Sequence, residues 1–496
     1  MLKKRILAGL LAITLLFFTA CGNNTETKEW LMQELELDDE QLTGAGIQEC
    51  TDGVVLMGDT ESEDPLRICI DLPNLSTSDS MGEISALKDF LSRLRGTVGL
   101  EDVVLEIIPT TDDIVVLKEV NAARSAAIER IQSEILNGGG PDVFIAQYQM
   151  GLDAGTFLAD YDIPSCLFEY PGKAMEYGRF LPLDEYIENN TVLTEWDKLT
   201  QPVLEAGRNW EGQQIIPLNY TMPLLCCPKA VWEHVPDKRY TWNDMLTNPE
   251  LLPYSRDMAN FGYAVHNMHG SDETAFVEGT LMGMNLLYGD IIDYESEKLI
   301  VTEEELVNTM EQILSLDQKD SYMGIEQAEE IEACEVHMRT EHINKPMTFL
   351  PLYNMKGGVT VEIEKYAAVN RNTKRPEDAF KVIDLLMSKN FQQSSFLYNQ
   401  LICRGWSMPL HEELFQKSTP VGGMGGYMLD SNFEAFSKVR EQITDAYFMS
   451  EGSRMLRMIL LECRSRNEDE PEKDVKEIIE ETVRETYIAL EKSLHE

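Results

Sequence analysis

The chain is 496 residues long and carries 42 basic against 86 acidic side chains, a formal charge of −44. That length exceeds one ordinary core of about 100–200 residues, so two lobes are expected, and the acidity excludes nucleic acid and anionic lipid headgroups as natural partners. Nine cysteines spread without framework spacing exclude a small disulfide scaffold.

In chain order, Lys3, Lys4 and Arg5 form a basic head before the uncharged run Ile6 to Phe18. That run is too short to span a bilayer and ends in the small residues Thr19 and Ala20, which is the pattern of a cleavable export signal over residues 1–20. Phe18-Thr19-Ala20-Cys21 resembles a bacterial lipobox, and the resemblance implies lipidation of Cys21 and a membrane tether at the outer cell surface. Residues 21–64 are polar and acidic with short apolar fragments, and read as a spacer.

From Leu66 the pattern becomes strand (Leu66 to Leu72), helix (Ile84, Leu87, Phe90, Leu91, Leu94), strand (Val103 to Ile108), helix (Glu119 to Leu136) and strand (Asp142 to Ala146). Such alternation is the signature of a parallel α/β sheet. The run Gly138-Gly139-Gly140-Pro141 stops the second helix; it lacks the Lys-Ser/Thr of a phosphate loop and precedes a strand.

The segment Ile131 to Ala146, IQSEILNGGGPDVFIA, resembles the helix, Gly-Pro-Asp turn and apolar strand of extracellular solute-binding proteins, the sugar-type (family 1) receptors of bacterial ABC importers. Phe180 to Ile187, Trp210 to Leu218, Tyr240 to Leu246, Asp293 to Leu316, Tyr366 to Leu386 and Asp474 to Glu496 resemble further elements of that family in the family's own order. Gln213 and Ile215 depart from it, standing where Lys and Tyr are common.

The resemblance implies a two-lobed, three-layer α/β fold of the periplasmic-binding-protein type (type II), with residues 65–217 and 317–352 in lobe 1, residues 218–316 and 353–496 in lobe 2, and crossings near Leu218, Leu316 and Tyr353. It implies a surface-tethered, monomeric receptor that closes about a hinge on a small solute, an oligosaccharide first, and passes it to ABC permease subunits without a cofactor. Sugar recognition combines aromatic faces with fixed polar groups. By motif position the expected ligand contacts are Gln147, Tyr148, Asn219, Tyr220, Tyr353, Asn354, Trp406 and Ser407. Trp210, beside Gly212 in an expected turn, is a candidate for the cleft rim.

No nucleophile elbow is present, and no carboxylate pair is marked out by spacing. Cys334, His337, Glu341 and His342 are the best metal candidates, but the resemblance places Glu335 to Met338 on a strand, which breaks their helical alignment. The rival readings are a lipid-anchored glycan or peptide hydrolase, and a sensor of the same fold without a permease.

Overall fold

The computed structural model describes residues 47–49, 54–72, 80–108, 117–147, 166–228, 291–317, 332–335, 347–351, 353–354, 356–395, 397–403, 408–414, 430–448 and 450–452, together with most of 455–494. By internal contacts the chain forms two compact units. The first comprises residues 1–219, 364–404 and 409–414; the second comprises 220–363, 405–408 and 415–496.

The first unit is built on a seven-stranded sheet. Its elements are β1 (Ile47–Glu49), β2 (Val55–Gly58), β3 (Leu66–Asp71), α1 (Ser80–Val98), β4 (Val103–Ile107), α2 (Leu117–Leu136), β5 (Val143–Gln147) and, further on, β6 (Arg208–Asn209), β7 (Gly212–Gln213) and β8 (Ile215–Pro217). β3 lies between β4 and β5 and is parallel to both, as successive strand-helix-strand units require. The strand Lys365–Val369 fills the slot between β5 and β8, antiparallel to each.

Two expectations change here. Residues 21–64 were expected to be spacer, yet β1 and β2 extend the sheet beyond β4, with Val54 and Met57 buried there. Residues 317–352 were expected in the first lobe and 364–404 in the second. Instead the strands Glu332–Glu335 and Met347–Pro351 flank Pro223–Pro228 in the second unit, while Lys365–Val369 completes the first sheet. The chain therefore crosses at Asn219/Tyr220 and Ile363/Glu364.

Pairing fixes the faces of the sheet, since register partners point the same way. Arg67, Cys69 and Asp71 of β3 share one face, and α2 meets it through Arg124 to Asp71 and Arg67 to Glu134. Phe144, Phe168 and Phe180 form an edge-to-face cluster, with centroids 5.0 Å apart for Phe144 and Phe168 and 4.9 Å for Phe168 and Phe180. Elsewhere Phe90 of α1 packs edge-on against Phe391 at 5.7 Å.

The glycine run closes α2. Gly140 has φ +96°, and a Cβ there would come within 2.9 Å of Ile135 Cγ1. Asn370 ties the turn down by donating to the Gly139 and Pro141 carbonyls at 2.9 and 2.8 Å. This is a structural turn at the amino end of β5.

The helix Pro376–Met387 serves the loop beside it. Its buried Asp384 accepts from the backbone N–H groups of Val192, Leu193 and Thr194 at 2.8, 2.8 and 3.0 Å. Asp384→Ala removes both acceptor oxygens, and with them all three hydrogen bonds, and is expected to destabilise the first unit by about 2–3 kcal/mol, read by urea unfolding. An unchanged midpoint would show that water replaces the carboxylate there.

In the second unit, Val359–Glu362 pairs in parallel with Ile443–Tyr447, and the helices Glu303–Asp317 and Val475–Leu494 pack together. The last helix matches the expected amphipathic segment. Among the described residues no helix is long and apolar enough to cross a membrane.

Candidate functional site

In open α/β sheets ligands bind beyond the carboxyl ends of the strands. In the first unit those ends are Asp71 of β3, Ile107 of β4 and Gln147 of β5.

Gln147 pairs in register with Lys365, so both side chains leave the same face of the sheet. It is 7% exposed, and its Oε1 has no hydrogen-bond partner. Among the described residues three more buried glutamines, Gln213, Gln214 and Gln392, have an unpaired Oε1, but each donates through Nε2 to a nearby acceptor. Gln147 does not. A buried carboxamide with no partner costs free energy unless something else supplies a donor.

Polar groups converge beside it. Lys365 is buried, with Nζ 3.8 Å from Glu364 Oε2. Asn219 donates to the same Glu364 oxygen at 3.0 Å and to the Ile402 carbonyl at 2.9 Å, and accepts from Lys365 N at 2.8 Å. Asn219 thus fixes the Glu364–Lys365 segment with both of its N–H groups occupied. Asn219 is thereby engaged within the fold, and Glu364 and Lys365 are the charged groups it holds beside Gln147. Sequence reasoning does not single out those two, because an acid and a base in an acidic chain carry no signal until pairing brings Lys365 opposite Gln147.

One strand away, Asp71 pairs with Arg124, both essentially inaccessible to solvent. Asp71 Oδ2 also accepts from Leu167 N at 2.7 Å. Burial opposes the charge of Arg124, but Asp71 and Cys166 beside it outweigh that and hold its pKa above the ordinary value. Burial pushes the thiol of Cys69 and the phenol of Tyr366 well up, so both stay protonated.

The other expected contacts are placed as follows. Tyr220 is fully buried in the second unit, its hydroxyl accepting from Arg440 Nε at 2.9 Å. Tyr353 donates to Gln442 Oε1 at 2.6 Å, and Asn354 donates to Thr360 Oγ1 and Asp445 Oδ2 at 2.9 and 3.0 Å while accepting from Gly358 N. These three have polar atoms engaged within the second unit. Tyr148, Trp406, Ser407 and Cys21 lie outside the described residues. Trp210 is in the first unit, 70% exposed at the β6–β7 turn.

Among the described residues no group of three or more His, Cys, Asp or Glu could hold a metal ion. Of the metal candidates only Cys334 is described, and it sits on a strand paired with Leu224. The groove lined by Arg130, Ser133, Glu134, Asn137 and Gly138 to Gly140 lies at the amino end of β5, away from Gln147, and its Arg130 and Glu134 are paired with each other.

These features define an α/β protein of two compact units with a polar constellation at the carboxyl end of a central strand. No protein-family model matches the sequence, and no curated protein matches it. Solved structures do. An extracellular solute-binding protein family 1 from Alicyclobacillus acidocaldarius aligns over 87% of this chain and 100% of its own, at 11% identity and a TM-score of 0.50. A de novo designed cysteine esterase aligns over 87% and 99% at 14% identity and 0.49. A periplasmic oligogalacturonide binding protein from Yersinia enterocolitica aligns over 87% and 100% at 14% identity and 0.46. The first of these shows the fold, which is the two-lobed α/β fold of extracellular solute-binding proteins.

Proposed function

We propose that this protein is a solute-binding receptor, tethered to the outer face of a bacterial membrane through lipid on Cys21, that captures an oligosaccharide and presents it to an ABC permease. The observation that carries the reading is Gln147. A carboxamide buried without a partner, beside Lys365 and Glu364 at the end of β5, offers an acceptor, a cation and an acid to a hydroxyl-rich ligand. A hydroxyl donates to Oε1 and accepts from Lys365, so one neutral sugar satisfies groups of both kinds. Binding of this kind needs no covalent step; the ligand favours whichever conformation it contacts best.

Thermal stability of the form beginning after Cys21, measured against mono- and oligosaccharides, tests the reading. A true ligand at about 100 times its dissociation constant adds about 2.7 kcal/mol. A glycan that raises the melting temperature and is recovered intact supports the receptor. Consumption of the glycan would make the protein an enzyme, and no response to any sugar would remove the oligosaccharide from the reading.

A further inference from the structure

A second feature of the first unit is unused by the Gln147 site. β6 and β7 form a hairpin whose two-residue turn is Trp210-Glu211, and Trp210 is 70% exposed. The turn is locked. Asn209 Oδ1 accepts from Glu211 N at 3.0 Å and from Gln214 Nε2 at 2.7 Å, and Gly212, at φ +125°, allows the Asp184 carboxylate to sit where a Cβ would be 1.9 Å from its Oδ2.

The same turn meets the end of the helix Pro171–Glu176. Asn209 Nδ2 donates to Glu176 Oε2 at 3.4 Å, so the residues that follow this pair, Trp210 and Tyr177, leave one corner of the unit. Tyr177 is 55% exposed. Arg371 joins the two sides, its guanidinium bound to Glu211 and packed against Gly178, where a Cβ would be 3.1 Å away. Two of the six large apolar side chains that stand exposed among the described residues therefore each follow directly on a residue of the Asn209–Glu176 hydrogen bond.

We infer that this corner is a second, surface site for neutral glycan, with Trp210 and Tyr177 as stacking platforms for pyranose rings and Glu176 and Glu211 as acceptors for their hydroxyls. Aromatic faces with polar groups at their edge match the two kinds of surface a sugar ring presents. The charges favour a neutral ligand: Arg371 is held by Glu211 and Arg208 by Asp184 at 2.7 Å, while Lys173 Nζ lies over the Tyr177 ring, 5.9 Å from its centroid, among the acids Glu176 and Glu211. A fixed turn loses little freedom when it binds. The corner would hold polymer near the receptor while the Gln147 site takes up its fragments, but it stands independently of that site.

The test uses the form beginning after Cys21. The indole N–H of Trp210, assigned by its loss in Trp210→Phe, is followed by NMR during titration with maltohexaose, cellohexaose and chitohexaose, and retention on starch, cellulose and chitin is measured alongside. One series is expected to move the Trp210 signal with a dissociation constant on the order of 1 mM. Trp210→Ala is then expected to lower retention on the matching polymer about tenfold, Tyr177→Ala to lower it less, and neither to change the melting temperature, since both side chains are exposed. Gln147→Met should leave retention unchanged, which separates this site from the other. A Trp210 signal that no glycan moves, or that moves only with anionic lipid vesicles, overturns the inference, as does retention that survives Trp210→Ala.

Discussion

Arg124→Met is expected to destabilise the first unit by about 3–5 kcal/mol. Asp71 and Arg124 are each about 1% exposed, so the substitution leaves a carboxylate in the interior of the sheet without its cation. The loss should exceed that of any single apolar truncation at the rim, because desolvation of the orphaned charge is added to the lost pairing. A partner for the carboxylate survives in Leu167 N, and this fixes the choice of rescue. Asp71→Asn on the Arg124→Met background removes the charge and retains an acceptor for Leu167, whereas Asp71→Leu would orphan that N–H. The double variant Asp71→Asn/Arg124→Met should therefore recover more than half of the lost stability. Urea unfolding followed by tryptophan fluorescence in a background where Trp232, Trp242 and Trp406 of the second unit are replaced by Phe reads the effect in the first unit. If Arg124→Met unfolds at the wild-type midpoint, the pair is not buried as described. If the double variant is as unstable as the single, the cost lies in packing of the guanidinium stem and not in the uncompensated charge.

Much of the first unit was legible from hydrophobic period alone. β3, α1, β4, α2 and β5 fall within a few residues of where alternation and helical spacing put them, since each is a local pattern bounded by its own turn chemistry. What was not legible is long-range. KYAAV at Lys365–Val369 reads as a strand from its composition, but nothing in those five residues says that the slot between β5 and β8 is theirs. The same limit hid β1 and β2, whose runs of three and four residues are too short to show a period. Gln147 was singled out from the sequence because it stands at the end of an apolar strand. Glu364 and Lys365 were not, because their meaning depends on a pairing with residues more than two hundred positions earlier. Asn219 and Asn354 show a different limit. An amide beside a strand end has the chemistry of a sugar contact, and only its hydrogen bonds reveal that the backbone has already used it.

Gln147→Met is expected to move stability and affinity in opposite directions, and few structural side chains can do that. In the free protein Oε1 is buried without a donor, a cost of about 1–3 kcal/mol that an apolar side chain of similar length does not carry. The variant should melt at or above the wild-type temperature. With ligand bound, the wild-type acceptor is satisfied and the variant has nothing in its place, so affinity for the glycan found in the stability screen should fall about tenfold or more. Substitution of an ordinary packing residue gives a different pair of results, a lower melting temperature with unchanged affinity, and that outcome would remove Gln147 from the site. Lys365 supplies the internal comparison. Its ammonium is held by Glu364, so Lys365→Met leaves that acid without its cation, and both stability and affinity should fall together. The contrast between the two variants follows from one difference in the unliganded protein: Lys365 already has a partner in Glu364, whereas Oε1 of Gln147 has none.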